Sequence, residues 1–247
     1  MIKNQRLTLK KTHDFNASGK PRLAVICIHG IAADSSSYTK ALAYWEKEDS
    51  LRDVRFLAFD LLGAGKSMAS DELKYDYAEQ LEALHNSIED LELDVPLVLV
   101  GHSMGTLIIT RYANTYKKSV RKLILISPPI YTEQDFDNPI FQEGTKAFCD
   151  VVRAKSRAKT DSRQFDASMK HIVSDKRNYT VLAELKTPAV LIYGFKDTII
   201  VPHNIPKILK ANPDYLTAIR TDGLHGVSID KYIKVPKILR EILNEDL

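Results

Sequence analysis

Residues 97–105 read Leu97-Val98-Leu99-Val100-Gly101-His102-Ser103-Met104-Gly105. An unbroken apolar run enters one glycine, and a second glycine four residues later opens a helical pattern from Thr106 to Tyr116. This is G-x-S-x-G in a strand–turn–helix context. The spacing has a steric cause. A serine held on so sharp a turn is expected at positive φ, and its neighbours two residues away must be small so that strand and helix can approach. The turn lifts the Ser103 hydroxyl clear of the sheet. It also aims the Met104 N–H from a helix N-terminus, where negative charge is favoured.

The same kind of apolar run recurs on both sides of this stretch. LAVICIHG (23–30), VRFLAFD (54–60), KLILIS (122–127) and AVLIYG (189–194) are continuously apolar rather than alternating, and LTAIR (216–220) is a weaker sixth. Continuous runs are how strands read when both faces of a sheet are covered. Between them lie helical patterns. Tyr77, Leu81, Leu84, Ile88 and Leu91 repeat at helical spacing, and Pro236 to Leu243 fits a terminal helix with proline in its first turn. Strand and helix in alternation predict an α/β protein with a mostly parallel sheet.

One region breaks the rhythm. From Pro128–Pro129 to about Leu185 no strand-like run occurs. Its first part carries Glu133, Asp135, Asp137 and Glu143, and residues 150–180 hold eight Lys/Arg against four Asp. Ile130, Phe136, Ile140, Phe141, Phe148 and Met169 are too many apolar side chains for a solvated loop. The expectation is a core of residues 1–128 and 186–247 with a helical cap over residues 129–185, its basic half a solvated face.

Composition excludes several function classes. The chain has 247 residues, 44% hydrophobic and 27% charged, a globular balance. Thirty-five Lys/Arg against 32 Asp/Glu leave a formal charge of +3, too small an excess to point to nucleic acid or an anionic membrane. Two cysteines, Cys27 and Cys149, make neither a disulfide framework nor a cysteine-rich metal site. The opening MIKNQRLTLKKTHDF has no apolar stretch followed by a cleavage site, and no segment reaches the ~18 apolar residues of a membrane helix. The expected location is the cytoplasm, without membrane insertion. Oligomeric state is not legible.

A serine hydroxyl needs a base, usually histidine, held by a third group. Of the seven histidines, His225 in Asp222-Gly223-Leu224-His225-Gly226 follows the last strand-like run between glycines, as a loop that must approach something closely. His203 is the weaker candidate. Asp197 follows AVLIYG at a C-terminal strand end, where α/β sheets place ligands and catalytic groups. An acid after the preceding strand, Glu133, is the alternative. The order Ser103, Asp197, His225 is that of α/β-hydrolases among serine triads. A second oxyanion donor is expected after an early strand, and the backbone N–H of Ile31 fits by position.

With these residues in view, the chain resembles the α/β-hydrolase superfamily, specifically its cap-bearing serine esterase-like members. The matches are His29-Gly30, Asp60-Leu-Leu-Gly63-Ala-Gly65-Lys-Ser67, the elbow at 101–105, Asp197 and His225-Gly226, over residues 23 to about 240. Eight of the ten glycines fall in or beside these motifs, which separates the match from a chance pentapeptide. The resemblance implies a serine hydrolase acting on a small-molecule ester through an acyl-enzyme, with no cofactor or metal. Carboxylesterase is the first expectation. Monoacylglycerol lipase, thioesterase and carbon–carbon bond hydrolase are alternatives on the same triad, and a non-catalytic binding protein on this scaffold is the rival from another class. Gly63 to Ser67 imitates a phosphate-binding loop, but that pattern needs glycine where Asp60 stands. Asp60 is expected instead to hold the turn by hydrogen bonds.

Overall fold

A computed structural model of the chain describes residues 6–67, 69–116, 120–156, 162–225 and 234–245. All six strands expected from apolar runs form: β2 (Leu23–Ile28), β3 (Val54–Asp60), β4 (Leu97–His102), β5 (Val120–Ile126), β6 (Ala189–Gly194) and β7 (Leu216–Thr221). A seventh, β1 (Lys10–Phe15), precedes them, and the sheet order is β1-β3-β2-β4-β5-β6-β7. Only β1 runs antiparallel, against β3. It was not legible because KKTHDF is an edge strand with half its residues exposed and no continuous apolar run.

The parallel strands are apolar throughout because each divides its residues between two cores. Ala24, Ile26, Ile28, Leu97, Leu99, Leu123, Leu125 and Leu191 face one side. Val25, Cys27, Val98, Val100, Ile124, Ile126 and Ile192 face the other. This is the period-two consequence of burying both faces. The first core is closed by α2 (Tyr77–Glu89), α3 (Met104–Thr115) and α8 (Asn204–Ala211), and the second by α1 (Thr39–Trp45) and α9 (Lys234–Glu245). The expected stripe on α2 is found, with Leu84 and Ile88 buried and Tyr77 and Leu81, like Leu91 just beyond the helix end, half-buried against the first core. Its start is capped by Asp76, whose side chain accepts from the Glu79 N–H at 3.1 Å. Cys27 is fully buried, which pushes its thiol up. Among the described residues no helix is long and apolar enough to cross a membrane.

Between β5 and β6 the described chain is helical: α4 (Glu133–Phe136), α5 (Pro139–Ser156), α6 (Ser162–Ser168), a π-helical turn (Met169–Val173) and α7 (Asn178–Ala183). Its apolar side chains Ile130, Ile172, Leu182 and Leu185 are buried in the first core. Ties to the body are also polar. Arg111 of α3 donates to Asp175 at 2.7 Å, and the Tyr77 hydroxyl to Asn178 at 2.7 Å. In the basic half, Arg163, Lys170, Lys176 and Arg177 are exposed, as expected of a solvated face. The side chains of Ile140 and Phe148 lie outside the described set.

Candidate active site

The elbow forms as its sequence requires. Ser103 sits between β4 and α3 at φ 49°, ψ −121°. The flanking glycines are there for close approach. A Cβ on Gly101 would come within 2.6 Å of the Gly105 and Thr106 backbone, and one on Gly105 would meet the carbonyl oxygens of Ile28 and His29. The strained residue is held from both sides. Its N–H donates to the Ile126 carbonyl at 2.9 Å, and its carbonyl accepts from the Thr106 N–H at 2.9 Å and the Thr106 hydroxyl at 2.6 Å.

Ser103, His225 and Asp197 come together in a line. The Ser103 hydroxyl lies 3.1 Å from Nε2 of His225, and Nδ1 of the same ring lies 3.0 Å from Oδ2 of Asp197. Asp197 is a carboxylate, so the partners assign the proton to Nδ1 and leave Nε2 to accept from the serine. The Asp197 side chain has no exposed surface, whereas that of His225 keeps 13%. Burial alone would raise the Asp197 pKa. The His225 hydrogen bond and charge, with the N–H groups of Ile199 and Ile200 at 2.9 and 3.2 Å on Oδ1, outweigh it and hold the carboxyl below its ordinary range. Gly223 of the histidine loop packs directly on Gly194 at the end of β6, the close approach its glycine implied. Gly226 lies outside the described residues.

The strip after β2 lies against the elbow. A Cβ on Gly30 would stand 3.1 Å from the Ser103 Cβ. His29 holds this strip. Its Nε2 accepts from the Leu61 N–H at 3.0 Å, and its Nδ1, 2.8 Å from the Gly30 carbonyl, is then the protonated nitrogen. Ile31 and Ser103 line one cavity, and Met104 is the first residue of α3, with an N–H that no earlier turn can use. Asp60 holds its loop as expected, accepting from the backbone N–H of Ser35 and of Lys66, each at 2.8 Å. Gly65 sits so close to that carboxylate that a Cβ would collide with it. A cradle already filled by an acid cannot take a phosphate.

The other candidates fall elsewhere. Glu133 is exposed on the first turn of α4, and the carboxylate on His225 is that of Asp197. His203 directly precedes α8, makes no side-chain capping bond, and lines the cavity wall. His102 turns its Nε2 toward the His225 carbonyl at 3.3 Å. Burial, aided by the neighbouring His225 charge, pushes its pKa down to about 4. Among the described residues no three His, Cys, Asp or Glu side chains are grouped to hold a metal.

The cavity above Ser103 measures about 390 Å³, near the lower end of ligand pockets. Its walls come from the helical segment (Tyr131, Phe141, Met169) and from the loop after β6 (Thr198, Ile199, Ile200). Two links that sequence reasoning missed join these walls. The Tyr131 hydroxyl donates to the Ile199 carbonyl at 3.0 Å. The fully buried Asn204 donates to the Ile130 carbonyl at 3.0 Å and to Asp135 at 2.7 Å. Neither residue carries a sequence signal, because a tyrosine in a loop and an asparagine at a helix start have many innocent uses.

Residues 24–148, half of the chain, match the family described as alpha/beta hydrolase fold. The chain belongs to this family. Among curated relatives of this α/β-hydrolase, "Probable lysophospholipase BODYGUARD 5" of Arabidopsis thaliana is 31% identical over 121 residues, 49% of this chain and 27% of that protein. The chain thus spans about a quarter of that relative's length. "Lipase 1" of Psychrobacter immobilis is 24% identical over 238 residues, covering 85% of this chain and 72% of the lipase. Among solved structures, an esterase from Exiguobacterium antarcticum superposes with a TM-score of 0.74 at 18% identity, over 96% of both chains. At that identity the likeness concerns the fold.

Proposed function

We propose that this α/β-hydrolase is a serine esterase that cleaves small carboxylic esters through an acyl-enzyme. The observation that carries the reading is the hydrogen-bonded line Ser103–His225–Asp197 at the floor of a cavity. The Ser103 oxygen attacks the ester carbonyl carbon while Nε2 of His225 takes its proton. Asp197 remains ionised throughout, orienting the ring and stabilising the imidazolium. The negative charge on the carbonyl oxygen is received by the backbone N–H groups of Ile31 and Met104. Collapse breaks the ester C–O bond, and His225 returns the proton to the departing alkoxide. Water, deprotonated by the same histidine, then attacks the acyl-enzyme, releasing the carboxylic acid and restoring Ser103.

In this reading residues 129–185 are the cap, and its cavity face together with the β6–α8 loop receives the substrate. A pocket of this size suits a short or medium acyl group and excludes a triglyceride. No metal or organic cofactor takes part. A second reading, action on lipid esters, draws support from the match with Lipase 1, which runs through most of the chain. The test is labelling by a fluorophosphonate probe, followed by turnover of p-nitrophenyl esters of increasing acyl length, a monoglyceride and a thioester. Labelling that survives Ser103→Ala would overturn the nucleophile. Failure on every oxygen ester with Ser103 still labelled would redirect the reading to thioesters or carbon–carbon bonds.

A further inference from the structure

Gly144 stands in the sixth position of the 18-residue helix α5. Glycine is the costliest residue in a helix interior after proline, because it gives up the most backbone freedom. Such a residue normally has a local reason. Elsewhere in this chain the reasons are plain. Gly63 and Gly65 have positive φ, and Gly101, Gly105 and Gly194 face backbone that a Cβ would strike. Gly144 has neither. It is helical, and apart from its chain neighbours and its own helix backbone no heavy atom of the described residues lies within 4 Å of where its Cβ would stand. It is nonetheless part of the cavity lining, with Phe141 and Thr145 one turn or less away on the same helix. It is also exposed, whereas Phe141 and Thr145 are half-buried. Gly144 therefore belongs at once to the cavity and to the outer surface.

We propose that Gly144 is a specificity-determining position, a gap in the cap wall through which a linear chain of the substrate leaves the cavity. The inference rests on the esterase reading of Ser103 and deepens it. A cavity of about 390 Å³ holds a short chain whole, and a longer alkyl chain must find an exit. A side chain at position 144 would project into that exit. The substrate class that follows is an ester of a linear aliphatic chain, short members lying inside the cavity and longer ones passing over Gly144. The missing side chain is then kept for the ligand's sake, at the expense of the helix.

Gly144→Ala and Gly144→Leu test this, read by thermal melting and by the rates at which ethyl and dodecyl fluorophosphonates label Ser103. These reagents need no knowledge of the natural ester. The alanine variant should melt about 2–4 °C above the parent chain, since only helix propensity changes. The leucine variant should remain folded, and its dodecyl-to-ethyl labelling ratio should fall at least tenfold relative to the parent. An unchanged ratio in a folded leucine variant would overturn the exit, and a lower melting temperature for the alanine variant would mean that the glycine serves the fold. If the parent chain is labelled by neither reagent, it is the esterase reading that fails, and the exit falls with it.

Discussion

Gly194, at the end of β6, lies so close to Gly223 that a Cβ on Gly194 would collide with the Gly223 carbonyl oxygen. The strand that delivers Asp197 and the loop that delivers His225 are thus fixed to each other through bare backbone. Three residues after Gly194 and two after Gly223, the carboxylate and the imidazole meet at 3.0 Å.

Gly194→Ala is therefore expected to displace the histidine loop rather than unfold the protein. A shift of 1 Å at a reacting group costs on the order of 100-fold. Ester turnover should fall by roughly that factor while the circular dichroism spectrum stays that of the parent. Undiminished turnover in the alanine variant would show that the two loops move together.

Replacing Ser103, the proposed nucleophile, separates chemistry from strain. Ser103→Ala should lower turnover by about four to six orders of magnitude. Ser103→Gly should be equally inactive yet melt higher, because glycine tolerates φ 49° where a side chain is strained. The gain expected is about 1 kcal/mol, or ~2–4 °C in Tm. A glycine variant that melts below the alanine variant would contradict the stored strain.

Asp197→Asn keeps the shape of the acid but favours the wrong histidine tautomer. The expected loss is about 10⁴-fold in kcat with KM little changed. Asp197 adds a stability effect of known sign. Its pKa is depressed in the folded chain, so its contribution is complete above the ordinary carboxylate range and is lost as pH falls through the folded value. Glu133→Gln should change neither activity nor this dependence.

His102 gives a pH dependence of folding at milder acidity. The folded chain holds it neutral down to about 4, against an ordinary value of 6.5. Between those values the unfolded chain binds a proton that the folded chain refuses, so stability falls as pH falls. The size is roughly 2–3 kcal/mol over that window. Urea unfolding at several pH values should show this slope, and His102→Gln should flatten it. An equal slope in the variant would assign the effect to other groups.

Exhaustive chelation should leave ester turnover intact, since every group in the proposed reaction is a side chain or backbone N–H of the chain. Loss of activity that one metal alone restores would refute a triad acting by itself.

Much of this molecule was written locally. Strands that bury two faces read as unbroken apolar runs, and the elbow reads as two glycines around a serine, because both constraints act between neighbours in the chain. The order of serine, acid and histidine was legible for the same reason, each lying at the end of its own strand. β1 was not, since an edge strand is half solvated and its pairing with β3 is decided by partners over 40 residues away. Only the tertiary structure brought Ser103 to His225 across 122 positions, set Asp197 rather than Glu133 behind the histidine, and tied Tyr131 and Asn204 across the cavity. It also separated the glycines that the backbone requires from Gly144, which the backbone does not. A Cβ that meets a carbonyl and one that meets open space are identical in sequence, and differ only in what the fold places opposite them.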